Sequence, residues 1–413
     1  MYAYTLAESS DPVYKQAQAS YRATLEARPQ AQSQLLPQIN LSANTFKNYQ
    51  DISTVGSPSP GDIDFNSHGY SLDITQPVYH HDYFLELKQT DSQIQQAQAE
   101  LDAAQQDLIL RVAERYFLVL ASIDNLEFVQ AEKISLGRQL DQANQRFEVG
   151  LTAITDVHEA QAGYDRSVAS EIFAENAIDN ARETLREITG EYLTTLAPLT
   201  ESMPLVVPEP DEIETWTETS LEQNLRIIAA KQQLETARQE INIQNAGHLP
   251  TLDIVANHGF DATGGRFGGA DIESTAIGLS LNVPLYQGGL VNSQTREARY
   301  RYEQALQQLE QQYRAAQRDT REAYLGVISG ISEVKALNQT VISGESALEA
   351  TVAGFEVGTR TAVDVVAAER AVLQIKRDYA RSRYDYILNS LRLKKAAGTL
   401  SPDDLQQING WLE

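Results

Sequence analysis

The side chains that could do chemistry are few and badly spaced for it. His80-His81 is an adjacent imidazole pair. A metal site needs further ligands that converge on the ion, and none accompanies the pair, so it reads as interfacial or exposed. Gly264-Gly265 and Gly268-Gly269 bracket Arg266-Phe267. A phosphate loop would need a strand before it, a helix after it and a following Lys-Ser/Thr, all absent here. The chain has no cysteine, which excludes a disulfide framework, a thiolate metal site and a thiol nucleophile. No nucleophile, base and orienting group can be nominated together. The expectation is a protein that is not an enzyme and holds no cofactor or metal.

Charge and hydropathy exclude more. Against 33 Lys and Arg stand 57 Asp and Glu, a net charge of −24 over 413 residues. With no basic cluster along it, the chain lacks the electrostatic footprint of a nucleic-acid binder. Apolar residues make up 42%, yet no run approaches the roughly 18 residues of a membrane-spanning helix, so any crossing must use strands. The N-terminus has no basic-then-apolar signal and reads as a mature chain behind a start methionine. Without cysteine it also has no N-terminal lipidation site.

The elements that position any function come in two copies. Arg146-Phe147-Glu148-Val149-Gly150 returns as Gly354-Phe355-Glu356-Val357-Gly358, a displacement of 358 − 150 = 208. Asp156-Val157 returns as Asp364-Val365, Tyr116 as Tyr324, and Gly190 as Gly398, all at that spacing. Leu36-Pro37 matches Leu249-Pro250, and Pro77-Val78-Tyr79 matches Pro284-Leu285-Tyr286. An internal duplication follows. Its boundaries are a first repeat over 1–190, a Pro-rich connection over 191–218, a second repeat over 219–398, and a C-terminal segment over 399–413.

Each half offers a helical segment, two strands, a long helix, a turn and another helix. The strands alternate apolar and polar residues: Ile39, Leu41 and Ala43; Tyr70, Leu72 and Ile74; Leu252, Ile254 and Ala256; Ile277, Leu279, Leu281, Val283 and Leu285. One face is greasy and the other polar. The four strands are expected over about 38–49, 68–79, 251–262 and 273–286, with exposed loops around Gly56 to Gly61 and Gly264 to Gly269. Their length suits a tilted transmembrane strand, and Phe46, Tyr49, Phe65, Tyr70, Tyr79, Phe260 and Tyr286 lie near their ends like an interfacial girdle. Four strands in lipid leave unpaired edges, so several chains must share one barrel.

Neither 81–147 nor 290–355 contains a proline. Heptad positions recur through Tyr116, Leu120, Ile123, Leu136, Leu140, Ala143 and Phe147, and again through Tyr324, Val327, Ile331, Val334, Val341, Leu348 and Phe355. That is coiled-coil spacing over helices about 100 Å long. Gly150 and Gly358 suit the left-handed position past each helix, with the next helix starting at Thr152 or Thr361. Thr361-Ala362-Val363-Asp364 fits a capping box.

With these residues in hand, the chain resembles the TolC family of outer-membrane channels. The resemblance rests on Leu36-Pro37-Gln38-Ile39, the run from Gln142 to Gly150, Ala153-Ile154-Thr155-Asp156-Val157, Gly247-His248-Leu249-Pro250-Thr251-Leu252, Pro284-Leu285-Tyr286-Gln287-Gly288-Gly289 and Val357-Gly358-Thr359-Arg360-Thr361. It covers nearly the whole chain in one order. The implied fold class is mainly α with a membrane β-barrel: a homotrimer in which four strands per protomer close a twelve-stranded barrel above a twelve-helix α-barrel. The implied function is an outer-membrane exit duct of a tripartite efflux pump, a type I secretion system, or both. Its implied partners are outer-membrane lipid, a periplasmic membrane-fusion adaptor and an inner-membrane pump of resistance-nodulation-division, major-facilitator or ABC type.

Carried over by position, the family's periplasmic gate falls on Thr155, Asp156, Phe355 and Arg360, with Arg360 facing Thr155 and Asp156. Phe355 stands where the family often has tyrosine, so one gate hydroxyl is missing. Asp364 matches an entrance carboxylate ring that binds cations, and Ala367 replaces a second ring. Gly150 and Gly358, at the turns, are the candidate adaptor contacts. Two alternatives remain: a non-conducting periplasmic or surface coiled-coil structural protein, whose strands would pair with a partner, and an ordinary porin, which does not need helices of this length.

Overall fold

A computed structural model describes residues 1–52, 61–200, 203–265 and 268–412. Residues 56–60 and Arg266-Phe267, expected in exposed loops, lie outside the described residues. The chain runs through α1 (Tyr2–Ser10), α2 (Pro12–Leu25), α3 (Ala27–Ser33), β1 (Gln38–Ile52), β2 (Gly61–Tyr79), α4 (His81–Glu148) and α5 (Ile154–Thr189). It continues through α6 (Ile213–Gln223), α7 (Leu225–Ala246), β3 (Thr251–Thr263), β4 (Ala270–Asn282), α8 (Leu290–Glu356), α9 (Ala362–Ala397) and α10 (Pro402–Asn409). Two compact units result: 1–19, 99–228 and 310–413 in one, 20–98 and 229–309 in the other. Each draws on both halves of the sequence.

In the second unit the strands form an antiparallel sheet in the order β1-β2-β3-β4. Leu41 stands opposite Leu72, Ile74 opposite Ala256, and Ile254 opposite Leu279. Between these pairs lie Ser42 opposite Ser71 and Asp73 opposite Asn257. Pleating therefore sends the apolar set to one face and the small polar set to the other. The polar face is internally bonded: the Ser71 hydroxyl donates to Asp73 at 2.8 Å and the Asn257 amide to the same carboxylate at 2.5 Å. Ile39 and Leu41 on β1, and Ile277, Leu279 and Leu281 on β4, are exposed on the two edge strands.

The expected end of β4 near residue 286 is corrected: pairing stops at Asn282. Pro284 has no N–H to give to a ladder, so Val283 and Leu285 continue the alternation without belonging to the strand. The other strands match in place and run longer, with β2 reaching 19 residues. No helix among the described residues is long and apolar enough to cross a membrane.

Proline-free α4 and α8 have 68 and 67 residues, each about 100 Å at 1.5 Å per residue. In the first unit Leu108, Ile109, Val119, Leu185, Val327, Ile387 and Leu391 are fully buried and form the centre of one apolar cluster. Of the heptad residues there, Leu120, Leu136, Tyr324, Val327, Ile331 and Val334 are buried. Tyr116 is half-buried and its hydroxyl donates to the Ala197 carbonyl at 2.9 Å, while its neighbour Phe117 fills the core. The segment after α5 folds onto the same unit: the Thr200 N–H donates to the Trp411 carbonyl at 2.9 Å, and the Arg383 guanidinium donates to the Thr200 carbonyl.

Candidate functional site

Both repeat turns are closed by one backbone device. At the end of α4 the Gly150 N–H donates to the Phe147 carbonyl at 2.9 Å and the Leu151 N–H to the Arg146 carbonyl at 2.8 Å. At the end of α8 the Gly358 N–H donates to the Phe355 carbonyl at 3.0 Å and the Thr359 N–H to the Gly354 carbonyl at 2.8 Å. This is the paired-bond termination that satisfies the last carbonyls of a helix. Both glycines have φ of +78°, a conformation that costs other residues a clash between Cβ and the carbonyl. Around them Val149, Leu151 and Val357 stand exposed.

The helices that leave the turns begin differently. Thr361 caps α9: its hydroxyl accepts from the Asp364 N–H at 3.2 Å, and its own N–H and hydroxyl donate to Asp364 Oδ2 at 2.8 and 2.9 Å. The capping box is as the sequence predicted. Thr152 is not the corresponding cap, and this corrects the expectation. α5 starts at Ile154 behind Ala153, which has no side chain to cap with. The duplication itself gives the reason, since 361 − 208 = 153 puts Ala153 in the place of Thr361. The Thr152 hydroxyl instead donates to Asp156 Oδ2, and that of Thr155 to Oδ1 at 3.5 Å.

Thr155 and Asp156 therefore meet at the start of α5, and Arg360 and Asp364 at the start of α9. Within one chain no ion pair joins Arg360 to Asp156, among the described residues. The Thr361 backbone N–H, then its hydroxyl, with the Arg360 charge adding to both, hold the Asp364 carboxyl below the usual carboxylate range. Both donors use Oδ2, leaving Oδ1 without a hydrogen bond among the described residues. Phe355 is half-buried in the last turn of α8 and Ala367 is exposed on α9.

Gly354 is a participant that the sequence reading missed. A Cβ built on it would lie 2.8 Å from Arg360 Cγ, so the arginine stem lies across the helix end because residue 354 has no side chain. Comparing the repeats carries the signal. The first has Arg146 and Thr152 where the second has Gly354 and Arg360, so the guanidinium has moved from before the turn to after it.

The imidazole pair, expected to be interfacial or exposed, sits at the junction of β2 and α4. His80 is only 12% exposed, its Nε2 lies 3.0 Å from Asp253 Oδ1, and its ring stacks on Tyr83 at 4.4 Å. It joins the β2–α4 junction to β3 and is not an exposed residue. Burial first, then Asp82, raises the Glu86 carboxyl in the same neighbourhood. Among the described residues no three His, Cys, Asp or Glu side chains are grouped to hold a metal ion.

Residues 3–191 and 216–399 match the family described as outer membrane efflux protein. The chain is 41% identical to the outer membrane protein TolC of Vibrio cholerae over 99% of its own length and 93% of that protein's. It is 27% identical to the alkaline protease secretion protein AprF of Pseudomonas aeruginosa, across 98% of this chain and 85% of that one. Its fold superposes on the crystal structure of the Campylobacter jejuni CmeC outer membrane channel with a TM-score of 0.82 at 15% identity, covering 100% of this chain and 89% of the other.

Proposed function

Because the chain belongs to the outer membrane efflux protein family, we propose that three copies assemble into one gated duct. The chain is an outer-membrane exit duct for efflux or type I secretion. The observation that carries the trimer is the sheet with two unpaired edges. β1 and β4 expose long rows of backbone donors and acceptors beside an apolar face. In lipid each unpaired group costs several kcal/mol, and pairing β4 of one copy with β1 of the next removes that cost around a closed ring of twelve strands. The internal duplication accounts for the regular alternation of strand pairs and helix pairs that such a ring needs.

Long helices from three copies form a tunnel through the periplasm. Its narrow end lies at the repeat turns, where Arg360 of one copy faces Thr155 and Asp156 of the next. A guanidinium can bridge a carboxylate and a hydroxyl in one plane. Phe355 contributes packing without a hydroxyl, and Asp364 presents a single ring of three carboxylates that favours cations. Exposed Val149 and Val357 beside Gly150 and Gly358 are a docking edge for a periplasmic adaptor. An inner-membrane pump of resistance-nodulation-division, major-facilitator or ABC type supplies the energy.

Because the chain has no cysteine, introduced pairs report without interference. A cysteine scan of β1 from Ile39 to Asn44 against β4 from Thr275 to Asn282 should yield at least one pair that oxidises to covalent dimers and trimers. Monomers alone across the whole scan would contradict barrel closure.

A further inference from the structure

The structure points to a second set of residues that act on the gate without standing in it. α4 and α9 belong to different hairpins of the chain and are joined by polar ties along their length. Lys395 pairs with Asp107, Arg392 with Glu114 at 2.8 Å, and the Tyr384 hydroxyl donates to Asp124 at 2.7 Å. Next, Arg370 Nε meets Glu132 at 2.6 Å. Last, Glu369 accepts from the Ser135 hydroxyl, with Arg138 at 3.7 Å. As the α4 position rises from 107 to 138, the α9 position falls from 395 to 369. The two helices therefore lie antiparallel, and each tie fixes their separation at its own level.

The ties stop there. Among the described residues no hydrogen bond or ion pair joins α4 beyond Arg138 to α9 before Glu369. From Arg138 to its end at Glu148, about 15 Å of α4 remains at 1.5 Å per residue. At the level of the last tie each hairpin is also closed on itself. Lys133 pairs with Glu171 at 2.5 Å between α4 and α5, where Gly137 packs against the Tyr164 ring. Lys376 pairs with Glu345 at 2.6 Å between α8 and α9, where Gly344 packs against Val372 and Ile375. Each hairpin is thus a closed unit; the two share the apolar cluster of the first unit, and the polar contacts between them end at one level.

We propose that Glu369 and Arg370, with Glu132, Ser135 and Arg138, are positioning residues of the gate: they form the pivot below which the two hairpin tips separate. The inference rests on the gate reading above. Polar ties suit a pivot because they break and re-form without exposing an apolar seam. Ser135 is 2% exposed, so the Glu369 contact lies on the inner side of the tie. Arg370 and Glu132 are more open to solvent, which makes their pair the salt-sensitive part. The lever arm is set by where the last tie stands. Removing it moves the effective pivot up to the Tyr384–Asp124 level and frees a longer tip.

The test is single-channel conductance in planar bilayers. The proteins compared are the native chain, Arg360→Ala, the near-isosteric Glu132→Gln and Glu369→Gln, and the charge swap Glu132→Arg with Arg370→Glu. Both glutamine variants should raise the open fraction at least about fivefold, the lower end of ordinary coupling between sites. The swap should return it to near the native value. Raising KCl from 0.1 to 1 M should increase native opening beyond the gain in bulk conductivity, and should do so much less in Glu132→Gln. Opening by Arg360→Ala with no change in either glutamine variant would overturn the pivot and leave the gate standing. No change in any variant would overturn the gate and the pivot together. A swap that opens the channel as the single variants do would show a merely structural role, and would also overturn it.

Discussion

The tie between Asp11 and Arg111 makes a quantitative prediction about how the N-terminal helices are held. Asp11 is 1% exposed, and its two oxygens take the two terminal nitrogens of Arg111 at 3.2 and 2.7 Å. Oδ2 also accepts the Tyr14 N–H at 2.8 Å. Removing one partner of a buried pair costs about 3–5 kcal/mol, because the other charge is left without compensation. The Arg111 side chain is 28% exposed, so water offsets part of the loss and the lower end, about 3 kcal/mol, applies. At about 1.4 kcal/mol per factor of ten, Arg111→Met should make local opening of residues 1–19 roughly a hundredfold more frequent. Amide hydrogen exchange of the detergent-solubilised protein reads this directly: protection across α1 and the start of α2 should fall by that factor, while the α7 amides stay unchanged. Adding Asp11→Asn to Arg111→Met should recover much of the protection, since no buried charge remains and the Asn oxygen can still accept from Tyr14. Unchanged exchange in the single variant, or a double variant as open as the single, would show that the Asp11–Arg111 pair does not hold the N-terminal helices.

The gate and the entrance yield further outcomes. Arg360→Ala should raise single-channel conductance, and Gly354→Ala should do the same with the guanidinium present, because its Cβ displaces the Arg360 stem; native conductance in both would remove Arg360 from the gate. Asp364→Asn should weaken cation selectivity and relieve block by multivalent cations, whereas block of native strength would count against the carboxylate ring. Because folding lowers the Asp364 carboxyl, its contribution to the start of α9 is complete above the ordinary carboxylate range and is lost as pH falls through the lowered value. Exchange at residues 362–366 should therefore quicken in acid in the native chain beyond its intrinsic pH dependence, and Asp364→Asn should lack that excess.

The sequence makes some of this legible and hides the rest for physical reasons. Long helices are visible because proline is absent from 81–147 and 290–355, and the strands because apolar residues alternate. The end of β4 is obscured because Val283 and Leu285 keep the alternation after Pro284 has ended the ladder. The start of α5 is misjudged because a threonine hydroxyl suggests a cap, while the turn that closes on Gly150 puts Ala153 in that place. His80 finds Asp253 across 173 positions, and Ser135 finds Glu369 across 234. Neither pairing leaves a local trace in the sequence. Gly354 is different, since setting one repeat against the other exposes the exchange with Arg146.

If the chain is a passive duct through the outer membrane, the purified native protein should conduct when added to a planar bilayer. Small, long-lived, cation-selective steps are the predicted result. Failure to insert, under conditions in which the protein remains folded in detergent, would contradict the duct and favour a non-conducting periplasmic spacer.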